Sequence, residues 1–129
     1  MTTCREILAW CDDILQTAQF KDDAPNGLQV EGAEKIEKIV AAVTASRAAV
    51  ECAAQQGAQL LLVHHGMFWK SEPATITGWK KQRIATLLHH NINMAGYHLP
   101  LDAHPELGNN AQLAKLMDWQ TDYTCGEQN

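Results

Sequence analysis

Residues 60–66 constrain the fold of this chain more than any other stretch. Residues 60–63, Leu-Leu-Leu-Val, form an apolar run without polar alternation, which is typical of a strand buried on both faces inside a parallel sheet. The run leads directly into His64 and His65, and ligands of open α/β sheets bind beyond the carboxyl ends of the strands. Gly66 permits a sharp turn, so that the two imidazoles need not point to opposite faces. We therefore interpret His64 and His65 as metal ligands.

Helix and strand patterns alternate along the rest of the sequence. Helical spacing of apolar residues predicts helices over residues 3–19, 46–57, 79–91 and 109–119. Extended apolar runs predict buried strands over residues 35–43, 58–63 and 92–98, with a shorter extended candidate at residues 28–30. This alternation predicts right-handed crossovers and an α/β domain with a three-layer, mainly parallel sheet flanked by helices. Asp22 and Asp23 lie among turn formers and are interpreted as solvated turn residues.

Composition bounds the class of protein. The chain has 129 residues, of which 46% are hydrophobic and 19% charged, as expected for a single globular domain over residues 1–129. The formal net charge of -5 disfavours a nucleic-acid partner, because phosphate backbones are bound by clustered basic residues. No apolar run approaches the roughly 20 residues that span a bilayer, and the N-terminus lacks a secretory signal pattern, which predicts a cytoplasmic protein without a membrane partner. The cysteines form no C-x-x-C motif, so we expect reduced thiols.

The third predicted strand brings further ligand-type side chains to the same edge of the sheet. Sequential crossovers place the strands at 58–63 and 92–98 side by side with their carboxyl ends together, which brings His98 and Asp102 toward the histidine pair. Imidazole nitrogen and carboxylate oxygen suit zinc, iron, manganese or nickel, and a carboxylate can bridge two ions. We therefore expect two divalent metal ions, one for each of the adjacent histidines.

Simpler interpretations of the histidines stay open at this point. One of His64 and His65 can be a buried residue bonded to the backbone, while the other is an exposed turn residue. His98 fits the outer partner of a ligand better than a ligand, since a metal-binding imidazole needs a group that fixes its tautomer. His104 precedes a proline and is typical of a turn, and the histidines at 89–90 lie where a cation favours the end of a helix.

Basic and aromatic side chains near these histidines allow two interpretations each. Lys70, Lys80, Lys81 and Arg83 suit a phosphate cradle, but the last three also fit a solvated helix face. Residues 67–69, Met-Phe-Trp, suit stacking on a nucleobase, but equally a core or subunit contact. The sequence contains no phosphate-binding loop, dinucleotide fingerprint or serine-hydrolase elbow, so those three chemistries are disfavoured.

Four short motifs resemble those of one known family. They are A-P-N-G-L-Q-V-E-G at residues 24–32, V-H-H-G-M-F-W at residues 63–69, H-L-P-L-D-A-H at residues 98–104 and G-N-N at residues 108–110. In this order and spacing they resemble the NGG-interacting-factor-three-like family, whose bacterial members are called GTP cyclohydrolase I type 2 homologues. The bacterial branch that includes a radiation-resistance protein is the most similar. The resemblance covers nearly the whole chain.

The resemblance implies a dinuclear metal site with His64, His65 and Asp102 as ligands, in a two-lobed α/β subunit that assembles into a toroidal homohexamer. It implies a metal-dependent hydrolase acting on a nucleotide or related heterocycle, with a non-enzymatic metal-binding scaffold or protein-interaction module as the alternative. Family members are about twice this length, and an H-x-x-x-E pair in their C-terminal half completes the site. This sequence contains no H-x-x-x-E. Either it is a fragment that corresponds to the N-terminal half of that architecture, or the remaining ligands come from water or another subunit. The catalytic general base is not identified.

Overall fold

A computed structural model describes residues 1–125 of the chain. Its strands are β1 Thr2–Thr3, β2 Gly27–Val30, β3 Lys35–Ile36, β4 Ile39–Thr44, β5 Leu60–His65 and β6 Asn93–Gly96. Its helices are α1 Cys4–Leu15, α2 Arg47–Gln55, α3 Gly78–His89, α4 Leu99–Asp102 and α5 Asn109–Leu116, with a 3-10 turn at Thr17–Gln19. The predicted α/β class is confirmed.

The central sheet has the strand order β2-β6-β5-β4. Strands β4, β5 and β6 run parallel, whereas β2 joins β6 in the antiparallel direction. The sheet is therefore mainly parallel, as predicted. Strand β5 lies inside it, and Leu60 and Leu61 are fully buried, which agrees with the prediction from the uninterrupted apolar run.

Strand β4 differs from the predicted buried strand over residues 35–43. It lies at the edge of the sheet, where Val43 is 68% and Ile39 is 45% exposed. The first residues of the predicted strand form β3, which pairs with β1 in a separate antiparallel ribbon. An apolar run does not by itself distinguish a central strand from an edge strand, because the signal reports apolar side chains and not the number of neighbours.

Helix α1 covers one face of the sheet. Thr3 and Glu6 form a capping box at its start. The helix ends at Leu15, before the predicted residue 19, because Gln16 adopts a left-handed φ of 51°. Its buried side chains pack on the sheet in an apolar cluster that includes Cys4, Leu8, Cys11, Leu15, Leu60 and Ala95.

Helices α2 and α3 cover the opposite face. They bury Val50, Ala53, Ile84 and Leu87 in the cluster that also holds Leu61, Val63 and Met94 of the sheet. Together with α1 they give the three predicted layers. Because helices cover both faces, bound molecules reach the parallel strands at their carboxyl ends.

Lys80 corrects the prediction of a fully solvated face on α3. It is 4% exposed, and its Nζ donates to the Pro73 carbonyl oxygen at 3.2 Å and lies 3.5 Å from Glu72 Oε2. A buried ammonium needs such acceptors, because an unpaired buried charge is costly. Its charge therefore holds the loop between β5 and α3 and is not free for a phosphate.

Helix α5 exposes the apolar side chains whose spacing predicted it. Leu116 is 83% exposed, and Leu113 and Met117 are about half exposed, whereas Ala114 is buried. The helical period was therefore predicted correctly, but this face of the helix remains open within residues 1–125.

The structure also bears on the thiols and on membranes. Cys4, Cys11, Cys52 and Cys125 are free, as predicted. None of the helices in residues 1–125 combines the length and the apolar character needed to cross a bilayer.

Candidate metal centre

Ligand-type side chains gather at the carboxyl edge of the sheet, where β5 and β6 end. The two strands pair in parallel, as predicted. His64 and His65 are the last two residues of β5, His98 follows β6, and Asp102 ends α4. The short helix α4 follows β6 and brings Asp102 toward the strand ends, with its Oδ1 3.4 Å from His64 Nε2.

Three imidazoles form the centre of this cluster. One ring nitrogen each of His64, His65 and His98 can be chosen so that all three lie within 4.8 Å of one another. The His64 and His65 ring centroids are 4.3 Å apart, and both lie within 5.5 Å of the His98 ring. Adjacent residues of a regular strand point to opposite faces. The two rings can approach each other because His64 and His65 lie at the end of β5, where the regular strand stops.

Gly66 permits the close approach of the Gln29 side chain to the backbone after the histidine pair. A Cβ at this position would collide with the side-chain amide of Gln29. The Gln29 Oε1 atom accepts a hydrogen bond from the Met67 backbone N–H at 2.8 Å. Gln29 therefore holds the chain directly after the histidine pair.

The tautomer of His64 follows from its partners. Its Nδ1 lies 2.8 Å from the Tyr97 carbonyl oxygen, which can only accept, so Nδ1 carries the hydrogen. The Nε2 atom then has a free lone pair, and it accepts from Asn109 Nδ2 at 3.2 Å. The same Nε2 lies 3.4 Å from Asp102 Oδ1. A ring whose Nδ1–H is held by a backbone carbonyl, with its lone pair on Nε2, is the usual arrangement of a metal-binding histidine.

Asn109 connects Asp102 to His64. Its Nδ2 donates to Asp102 Oδ1 at 2.7 Å as well as to His64. Gly108 occupies the N-cap position of α5, and the Asn109 side chain reaches the histidine cluster. Asn109 is a site residue that the analysis of spacing missed.

Asp22 corrects the prediction that both aspartates are solvated. Asp23 is exposed, but the Asp22 side chain is only 2% exposed and its Oδ1 lies 2.8 Å from His98 Nδ1. Burial disfavours the charged carboxylate, but hydrogen bonds from His98, the Leu99 backbone, Asn26 and the Asp23 backbone outweigh it and lower the pKa of Asp22 to about 2.

The surroundings of His65 favour its neutral form. Burial lowers the pKa of His65 below its usual value, and the neighbouring His64 and His98 lower it further, while Asp102 acts in the opposite direction. A neutral imidazole has the lone pair that a metal ion requires. Of the three ligands predicted from the sequence, His65 lies beside His64 with ring centroids 4.3 Å apart, and Asp102 Oδ1 lies 3.4 Å from His64 Nε2.

The aromatic motif at residues 67–69 divides between two roles. Met67 is 1% exposed and belongs to the core. The Trp69 ring lies edge-on to His98, with a centroid distance of 4.9 Å, and 6.1 Å from His65. Trp69 therefore forms a wall of the histidine cluster, whereas Met67 fits the core interpretation.

An apolar groove opens beside the cluster. It has a volume of about 700 Å³ and lies between α1, β4 and α4. His64, His65 and Asp102 lie at its polar end, and its apolar side chains include Trp10, Ile14, Val43, Leu62, Leu101 and Leu107. The groove is wide enough for a small planar molecule that also contacts the histidines.

The remaining histidines lie outside the cluster, as predicted. His104 Nδ1 accepts from the backbone N–H groups of Glu106 and Leu107, which is a turn interaction. His89 and His90 lie at the C-terminal end of α3. His98 differs from these three histidines, because it lies in the cluster and its Nδ1 bonds to the Asp22 carboxylate.

The family is decided by the match of the whole chain. The profile of Duf34/NIF3 (NGG1p interacting factor 3) matches residues 2–128. The chain belongs to the Duf34/NIF3 family. The family resemblance seen in the sequence motifs is thereby confirmed.

Individual relatives in the Duf34/NIF3 family agree in sequence and fold. A "GTP cyclohydrolase 1 type 2 homolog" of Neisseria meningitidis serogroup B is 68% identical over 129 residues, which are all of this chain and 52% of the relative. The solved structure of protein ybgI, described as of unknown function, has a TM-score of 0.88 at 52% identity and covers 90% of this chain and 47% of its own. TTHA1606 from Thermus thermophilus has a TM-score of 0.82 at 42% identity, covering 88% and 47%. The chain spans about half the length of these relatives.

Proposed function

We propose that His64, His65 and Asp102 bind two divalent metal ions, of zinc, iron, manganese or nickel. The observation that carries this proposal is the His64 ring, whose Nδ1 is held by the Tyr97 carbonyl while Nε2 faces Asp102 at 3.4 Å. The lowered pKa of His65, caused first by burial, supports it. The donors are imidazole nitrogen and carboxylate oxygen, which match these metals.

We propose further that the site belongs to a metal-dependent hydrolase that acts on a nucleotide or a related heterocycle. A divalent ion supplies Lewis acidity and lowers the pKa of water toward about 7. The apolar groove beside the histidines would hold the heterocycle and exclude water from it. The name of the Neisseria relative supports this substrate class.

A second candidate function is a non-enzymatic metal-binding scaffold or interaction module. Large apolar side chains are exposed on two sides, among them Trp10 at 66% and Leu116 at 83%, and such surfaces often mark protein contacts. The relatives are about twice as long, so further ligands and a two-lobed subunit in a toroidal homohexamer are part of this proposal.

Metal content and turnover separate these functions. The purified chain is loaded with zinc, manganese, iron or nickel, and excess metal is removed. Its metal content is compared with that of His65→Ala and of His89→Ala, which changes an exposed histidine on α3. We expect bound metal in the wild type and in His89→Ala and a loss in His65→Ala. Equal, near-zero metal in all three refutes the site. Metal-dependent product release from a nucleotide panel supports the hydrolase, whereas binding without turnover supports the scaffold.

A further inference from the structure

His98 is placed like a ligand, although its sequence position did not identify it as one. One of its ring nitrogens belongs to the set within 4.8 Å of those of His64 and His65. Its side chain is 23% exposed, so the ring is accessible to a ligand. Trp69 packs edge-on against it and limits its rotation.

The contacts of Asp22 define which nitrogen of His98 is available. The carboxylate accepts from His98 Nδ1, the Leu99 N–H, the Asn26 amide and the Asp23 N–H. Three of these partners can only donate, so the carboxylate acts as an acceptor throughout. His98 therefore carries its hydrogen on Nδ1, and its Nε2 lone pair is the free one.

The segment around Asp22 also fixes the position of the His98 backbone. Asn26 Oδ1 accepts from the His98 N–H at 2.8 Å, and Asp22 Oδ2 accepts from the Leu99 N–H at 2.9 Å. The ring and the main chain are thus held by the same loop. His64 shows the same arrangement with a carbonyl in place of the carboxylate, and an anionic acceptor binds an imidazole N–H more strongly than a neutral one.

We infer that Asp22 is a positioning residue that holds His98 in the Nδ1–H tautomer, so that His98 Nε2 is a third nitrogen donor of the metal site beside His64 and His65. This inference rests on the proposed metal binding. It extends the donor set to three imidazoles and one carboxylate within this chain. The loop residue Asp22 then acts on the metal only through His98.

The tautomer is measured without metal. Ring 15N chemical shifts of the folded, metal-free chain at pH 8 distinguish protonated from unprotonated nitrogen, and we expect His98 with a protonated Nδ1. In the wild type, one Asp22 oxygen accepts from His98 and Asp23, and the other accepts from Leu99 and Asn26. Asp22→Asn replaces one of these oxygens by an NH₂ group, which cannot accept a hydrogen bond. We therefore expect an increased share of the Nε2–H tautomer of His98. Asp23→Asn, its exposed neighbour, is the matched control and keeps the wild-type spectrum. A wild-type Nε2–H tautomer overturns the inference.

Metal affinity tests the donor role. We expect Asp22→Asn to weaken Zn²⁺ binding about 10- to 100-fold, as for other outer partners of ligand histidines, and Asp23→Asn to leave it unchanged. His98→Gln also weakens binding, and the double variant Asp22→Asn with His98→Gln is no weaker than His98→Gln alone, because Asp22 acts through His98. We also expect the Co²⁺ absorption spectrum of Asp22→Asn to differ from that of the wild type, because the variant no longer holds His98 Nε2 as a donor.

The outcomes separate this inference from the proposed function. If the wild type binds Zn²⁺ and His98→Gln or Asp22→Asn binds it equally well, the third-donor role is refuted while the metal site stands. A fully additive double variant also refutes action through His98. If the wild type binds no Zn²⁺, the proposed function fails, and the donor role of His98 fails with it.

Discussion

The two ends of the central strands carry polar side chains for opposite purposes. At the amino end, Asn93 of β6 is 1% exposed. Its Oδ1 accepts from the Gly32 N–H at 2.7 Å, and its Nδ2 donates to the Ala33 and Gln59 carbonyl oxygens at 2.6 and 2.9 Å. All three of these Asn93 side-chain hydrogen bonds go to backbone atoms of neighbouring segments. At the amino end, the polar side chain therefore holds three segments of the chain in place.

At the carboxyl end, polar side chains bond largely to each other and remain accessible. The side chains of His64, His98 and Asp102 are 11%, 23% and 30% exposed. The backbone or a carboxylate occupies Nδ1 of both histidines, so Nε2 is the nitrogen that each ring can offer to a ligand. The comparison shows that a polar cluster whose partners are all backbone stabilises the fold, whereas one with lone pairs left over is suited to a ligand.

The largest expected effect is at the amino end. We expect Asn93→Ala to lower the free energy of unfolding by about 3 kcal/mol. The Gly32 N–H and the Ala33 carbonyl lose their partner, and the Gln59 carbonyl keeps only the Asn93 N–H. Each unsatisfied group costs about 1–3 kcal/mol. Urea unfolding measures it. Asn110→Ala, an exposed asparagine on α5, is the control and changes stability by less than about 0.5 kcal/mol. A stable Asn93→Ala would contradict the structural role assigned to this end.

The carboxyl end should show the reverse pattern. We expect His65→Ala to lower Zn²⁺ affinity by more than about 100-fold, since the loss of an outer partner alone costs about 10- to 100-fold. Without metal its free energy of unfolding should change by less than about 1 kcal/mol, because the residue is only partly buried. Calorimetric titration and urea unfolding in the presence of a chelator measure the two. A large loss of stability with unchanged affinity would remove the distinction between the ends.

Acid should weaken the carboxyl end through Asp22. Its pKa is lowered from 3.8 to about 2, so the folded state favours the carboxylate and Asp22 contributes about 2 kcal/mol at neutral pH. The contribution is complete above about pH 4 and is lost as the pH falls toward 2. Unfolding free energies between pH 5 and pH 2 should fall less steeply in Asp22→Asn than in the wild type. Asp23→Asn should keep the wild-type slope, and identical slopes in all three would refute the assignment.

The smallest expected effect concerns Asn109. Asn109→Ala removes the amide that orients Asp102 and His64, and we expect Zn²⁺ affinity to fall about 10-fold with little change in stability. Asn110→Ala again serves as the control. Tighter Zn²⁺ binding by Asn109→Ala would show instead that the amide competes with the ion for these two side chains.

The sequence predicted those parts of the site that depend on local pattern. Residues 60–65 predicted a buried strand ending in two histidines, because an apolar run and its end are contiguous in the chain. The pairing of β5 with β6 followed from general rules for crossovers. The edge position of β4 and the burial of Lys80 were not predicted, because they depend on which segments lie alongside.

The order of elements, the central strand and its histidine pair are properties that the amino-acid sequence alone determined. The tertiary structure decided which polar groups meet them. Asp22 bonds to His98 across 76 positions and Asn109 to His64 across 45, and no periodicity connects residues so far apart. Packing of the whole chain brings them together, because a hydrogen bond requires a donor and an acceptor at about 3 Å, and only the complete fold sets that distance.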